Sequence, residues 1–248
     1  NVSGLTHGVL QPCRSLVYLD SYLISNFLGR FDAPRWNMVN VEAIERIDAL
    51  YGPFSAIYPG NSIGTTVVLT ERKPKGFEAS ASVKYNHQGF DEYGTHESYG
   101  SKQLSARLAS RLDSGLWYVL GVQHQDSQGH PMGYGNAVRG ATSGAFGNGS
   151  LGTRVSGIQY DLDPQGRERA IFGATGADHS VQDTVNLRLG YDLSATQEIE
   201  GRISMWRSDS TVTNTTYLRD ATGKPIWSGV VNDGRYSFNI PANTFAPS

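Results

Sequence analysis

The sequence predicts a small α+β domain over residues 1–76, followed by antiparallel transmembrane β-barrel strands over residues 77–248. Three observations carry this. The texture changes near residue 76, from short apolar runs broken by Pro and Gly to long alternating stretches. Five of those stretches keep an apolar–polar period of two, which puts one apolar and one polar face on a strand. The connections between them alternate between long and short, as in outer-membrane barrels, which keep short turns on one side and long loops on the other.

The elements of the first part follow in order. "LVYLDSYLI" (16–24) reads as a strand entering a turn at Asp20-Ser21. "VEAIERI" (41–47) spaces Val41, Ile44 and Ile47 three apart, predicting a short helix with Asn40 as its N-cap. In "GPFSAIYPG", Pro53 suits the first position of a second helical turn, and Pro59-Gly60 ends it. "TTVVLTE" (65–71) is β-branched and reads as a buried strand.

In the second part, Phe77, Ala79, Ala81, Val83 and Tyr85 share one face of "FEASASVKY". Leu104, Ala106, Leu108 and Leu112 oppose Gln103, Ser105, Arg107 and Arg111. Leu116, Tyr118, Leu120 and Val122 form the third apolar face, and Val185, Leu187, Leu189, Tyr191 and Leu193 the fourth. Ile199, Ile203 and Met205 oppose Glu198, Glu200, Arg202 and Ser204. The predicted connections are about ten residues (89–98), three (113–115), about fifty (129–179), three (194–196) and a polar tail. Phe77, Tyr118 and Tyr191 near the short turns, and Tyr85 near a long loop, mark two interfacial girdles. On this reading Arg107, Arg111, Arg188, Glu198, Glu200 and Arg202 face the lumen.

Composition narrows the function. The 21 Lys+Arg balance 23 Asp+Glu for a net charge of −2, without the basic footprint of a nucleic-acid binder. Cys13 is the single cysteine, so neither an internal disulfide nor a Cys-rich zinc site is available. The six histidines show no close metal spacing, and "DLDPQG" (161–166) has Phe172 where a calcium loop needs a bidentate Glu. No phosphate loop or nucleophile elbow is present. No enzyme activity, cofactor or metal is expected.

One stretch is specific. Ile44-Glu45-Arg46-Ile47-Asp48-Ala49, Gly52-Pro53, Ser55-Ala56-Ile57-Tyr58, Gly60, Ile63-Gly64 and Val67-Val68-Leu69-Thr70 resemble, in order and spacing, the second half of the plug domain of TonB-dependent outer-membrane receptors. The strand at 17–24, with Asp20-Ser21 where the family usually has Asp-Gly, extends the likeness. Pro59 and Thr65 depart from it. The resemblance implies that residues 1–76 are the C-terminal part of a plug domain. Residues 77–248 would then supply about five or six of the family's 22 barrel strands. The chain is accordingly expected to be a fragment of a longer receptor in the outer membrane of a Gram-negative bacterium.

The resemblance further implies active uptake of a scarce solute. The ligand would be a small molecule or metal chelate: a siderophore–iron complex, cobalamin, haem or a carbohydrate. The energy source would be the TonB–ExbB–ExbD complex, acting through a segment outside this chain, and the barrel's surroundings would be outer-membrane lipid. Glu45 and Arg46 would latch plug to wall; Gly52, Gly60 and Gly64 would serve tight plug turns; Arg30, Arg35 and Trp36 are candidate ligand contacts. A passive porin or adhesin barrel, or a soluble β-sandwich binding domain, are the alternatives.

Overall fold

The computed structural model describes residues 15–24, 39–51, 58, 65–140 and 146–246. Gly52, Gly60, Gly64, Arg30, Arg35, Trp36 and the turn expected at Pro53 lie outside the described residues. The described chain is nearly all β-sheet. Its strands are β1 (Ser15–Leu19), β2 (Tyr22–Leu23), β3 (Ile44–Tyr51), β4 (Thr65–Glu71), β5 (Glu78–Glu92), β6 (Thr95–Arg111) and β7 (Leu116–Gln128). They continue as β8 (Gly133–Val138), β9 (Thr153–Arg154), β10 (Gln159–Leu162), β11 (Glu168–Ser194), β12 (Gln197–Thr216), β13 (Gly229–Asn232) and β14 (Ser237–Ile240).

The helix expected over 41–47 is corrected. Only Val41–Ala43 is helical, a single 3-10 turn, and Asn40 caps it by accepting the Glu42 N–H at 3.0 Å. Ile44 onward is strand, paired antiparallel to β4 with a bulge between Ile44 and Arg46. Two helical turns are too short to hold by themselves, so the sheet ladder overrides the local spacing.

The connections are corrected too. The ten-residue loop is only the turn at Tyr93-Gly94, with Tyr93 at φ +53°. The fifty-residue loop holds β8, β9, β10 and the start of β11, and the tail holds β13 and β14. Apolar alternation marks only part of each strand. The backbone ladder continues past it through polar residues.

The chain forms two compact units. One takes the described residues of Asn1–Val83, Leu104–His124 and Gln182–Arg207. It contains a four-stranded sheet in the order β2-β1-β4-β3, with β1 and β4 parallel (Ser15↔Thr65 to Leu19↔Leu69). Leu16 through Leu19 are all buried, which is why β1 reads as a continuous apolar run: it is a central strand covered on both faces. Val17, Leu19, Ile24, Val39 and Leu69 form the core of this sheet.

The long strands of the same unit invert the usual burial. Leu104, Leu108, Leu120, Val122, Leu189, Leu193, Ile199, Ile203 and Met205 are exposed, while Ser105, Arg107, Thr184 and Arg188 are buried. Among the described residues no helix is long and apolar enough to cross a membrane, a fact that leaves β-barrels untouched.

The second unit takes the described residues of Lys84–Gln103, Gln125–Val181 and Ser208–Ser248. Here β8 and β10 each pair antiparallel with β11, and a further sheet runs β14-β13-β9. Ala137, Val155, Ala170, Phe172, Leu218, Val231, Phe238, Ile240 and Phe245 make a conventional core.

Candidate functional site

The most densely charged place in the first unit lies where the small sheet meets the polar face of β11 and β12. The β1–β2 hairpin turns in two residues, with Asp20 at φ +52°, as right-twisted hairpins require. This turn aims the Asp20 carboxylate at the end of β4. Its Oδ1 accepts the Glu71 N–H at 2.9 Å, and its Oδ2 accepts from Arg202 Nη2 at 2.5 Å. Glu71 Oε2 accepts from the same Arg202 nitrogen at 2.5 Å and from Arg188 Nη1 at 3.1 Å. Arg188 Nε donates to Glu200 Oε1 at 2.8 Å.

Two guanidiniums thus serve three carboxylates, and Arg188 and Glu71 are nearly fully buried. Burial pushes the Glu71 carboxyl above its ordinary value, while Arg202 and Arg188 draw it back. A buried ionic cluster of this kind holds only while every partner is present, because an orphaned charge costs far more than the pair gains.

A second grip sits on the segment joining β4 to β5. Lys73 Nζ pairs with Glu198 at 2.5 Å and Glu200 at 3.6 Å. Arg107 Nη1 donates to Glu78 at 2.7 Å, Arg111 Nε donates to the Pro74 carbonyl at 3.1 Å, and Arg111 also pairs with Asp192. Between the grips lies the fully buried Trp117 ring, with Lys73, Arg111 and Arg188 cations 5.4, 5.9 and 5.4 Å from its centroid. The ring lies so close to β11 that a Cβ on Gly190 would stand 2.1 Å from it, so only glycine fits there.

Two cavities border these grips. One of about 700 Å³ is lined by Asp20, Tyr22, Glu71, Arg188, Glu200 and Arg202, among others. The other, about 620 Å³, is lined by Glu45, Arg72, Lys73, Pro74, Lys75, Glu78 and Arg111.

Of the predicted latch, Glu45 is exposed at this second cavity, and Arg46 is exposed with its Nε 2.8 Å from Asp48 of its own strand. Both stand on β3 rather than on a helix. The predicted inward-facing charges Arg107, Arg111, Arg188, Glu198, Glu200 and Arg202 all enter ion pairs. Sequence reading missed Asp20, Glu71 and Lys73 as their partners. A charged residue closing an apolar strand, as Glu71 does after "TTVVLT", was the available signal. Among the described residues no group of three or more His, Cys, Asp or Glu is arranged to hold a metal.

No protein-family pattern matches this sequence, and no curated protein matches it. Solved structures of the ferric enterobactin receptor PfeA from Pseudomonas aeruginosa are similar in part. One mutant in complex with enterobactin is 14% identical over 81% of this chain and 26% of its own, at a TM-score of 0.45. A second mutant is 16% identical over 83% of this chain and 26% of its own, at 0.49. A third, also with enterobactin, is 13% identical over 95% of this chain and 37% of its own, at 0.47. This chain therefore spans about a quarter to a third of the length of the structures it matches.

Proposed function

We propose that this chain is part of a TonB-dependent receptor that actively carries a scarce solute, a siderophore–iron complex or similar chelate, across the bacterial outer membrane. The observation that carries the reading is the inverted burial of the first unit. Its long strands expose an apolar face and turn arginines and hydroxyls inward, against a small sheet bound by ion pairs. In water this costs exposed apolar area without return; against lipid acyl chains it is the expected arrangement.

The domain assignment follows, with residues 1–76 as the later part of the plug and residues 77–248 as the first wall strands and outer loops. The latch assigned to Glu45 and Arg46 extends to Asp20, Glu71 and Lys73, whose ion pairs reach β11 and β12. A hydrogen-bonded, charge-balanced stopper suits a gate better than a permanently open pore. That favours energised transport by TonB–ExbB–ExbD over a passive barrel. Uptake of ferric chelates by cells carrying the complete gene tests it. Uptake should vanish when TonB is deleted or the proton gradient collapsed; uptake that persists in both conditions overturns the proposal.

A further inference from the structure

The second unit carries a charged feature outside the transport reading. Glu168 opens β11, and its carboxylate is gripped from two sides: Arg139 Nη1 at 3.1 Å from Oε2 and Arg235 Nη2 at 3.0 Å from Oε1. Both guanidiniums also lie over one ring, Tyr236, at 5.1 and 4.7 Å from its centroid. Arg235 lies in addition over Tyr160 at 5.3 Å, and Arg139 over Phe146 at 5.7 Å. The rings are themselves fixed. Phe146 packs edge-on to Tyr236 and Phe238, and the Tyr160 hydroxyl donates to Asp233 at 2.6 Å.

Two features separate this cluster from ordinary surface ion pairs. First, the arginines have lost their freedom: each is held by an aromatic face and by a carboxylate that is itself four-fifths buried. Second, the guanidiniums keep donors to spare. Two guanidiniums share the Glu168 carboxylate, while the nearby Asp233 carboxylate, still charged, takes its hydrogen bonds from the Tyr160 hydroxyl and from the backbone N–H of Arg235 and Tyr236. Yet the arginine side chains stay 54% and 58% exposed. Arg139 donates one N–H to Glu168 and Arg235 pairs with the same carboxylate at 3.0 Å, and among the described residues the remaining guanidinium donors have no acceptor. Pre-positioned planar donors with unspent N–H groups are what a small oxyanion needs, because the entropy of ordering the arginines is already spent.

We propose that Arg139 and Arg235 form a binding site for the oxyanion of a solute or headgroup, phosphate or carboxylate, with Glu168 as the built-in competitor that occupies the pair when the site is empty. The test is calorimetric titration of the detergent-solubilised chain with inorganic phosphate and with citrate, which separates the two chemistries. A parallel titration with vesicles containing a phosphate-monoester lipid separates a membrane source from a free solute. Saturable binding of at least one probe is expected, weakened at least tenfold in Arg139→Gln/Arg235→Gln and unchanged in Arg154→Gln.

Glu168→Gln keeps the hydrogen-bonding shape and removes the competitor, so it should tighten binding about threefold or more. A purely structural arginine pair predicts no such gain. Absence of saturable binding to any of the three probes, or a Glu168→Gln variant that binds no tighter, overturns the proposal. Anion occupancy is read without transport, so it stands or falls separately from uptake.

Discussion

At the scale of single residues, the first unit is held by a few side chains that cannot be exchanged independently. Arg188 touches Glu71 and Glu200, lies 3.7 Å from Asp20, and stacks on Trp117. Arg188→Ala leaves Glu71 buried beside a single remaining cation and should cost about 3–5 kcal/mol. Arg188→Ala/Glu71→Ala together should cost less than the sum of the two, as coupled partners do. Urea unfolding of the detergent-solubilised chain measures both. Gly190→Ala places a methyl group into the Trp117 ring and should cost about 1–3 kcal/mol with a change in indole fluorescence. An unchanged midpoint would show that the ring moves freely.

At the scale of elements, the β13–β14 hairpin of the second unit depends on one carboxylate. Burial works against ionisation of Asp233, but the Tyr160 hydroxyl and the backbone N–H groups of Tyr236 and Arg235 outweigh it and hold its pKa below the ordinary carboxylate value. A group depressed in the folded state binds fewer protons there than in the unfolded chain. Its stabilisation is therefore complete above the ordinary carboxylate pKa and is lost as pH falls through the lowered folded value. Protection of the β13–β14 amides from hydrogen exchange should weaken across that acidic window in the parent, and Asp233→Asn should be weaker throughout and flat with pH. A parent whose protection did not change there would remove Asp233 from the hairpin's support.

At the scale of the whole molecule, the governing fact is which face of the long strands meets which environment. Ile203 is 73% exposed. In a water-facing sheet Ile203→Arg would change stability by only about half a kcal/mol either way. Facing acyl chains near the bilayer midplane, it should cost about 2–4 kcal/mol. Refolding into lipid vesicles, followed by urea titration, distinguishes the two. The same logic predicts that the isolated chain stays soluble only in detergent or lipid; a monomeric, cooperative thermal transition in plain buffer would overturn the membrane reading.

Much of this was legible without coordinates. Period-two alternation is a local property of a strand with one apolar side, so Leu104–Leu112, Leu116–Val122 and Leu189–Leu193 announced both the strands and their outward faces. The Asn40 cap was legible because capping is settled within three residues. What only the tertiary structure decided were the things that pairing decides. Residues 44–47 became strand because β4 lay beside them, and the strands ran on past their apolar stretches because backbone ladders need no side-chain pattern. Asp20, Glu71 and Lys73 became the partners of Arg202, Arg188 and Glu198 across more than a hundred residues of chain. A charge in a sequence declares its sign; only the fold declares what it must neutralise.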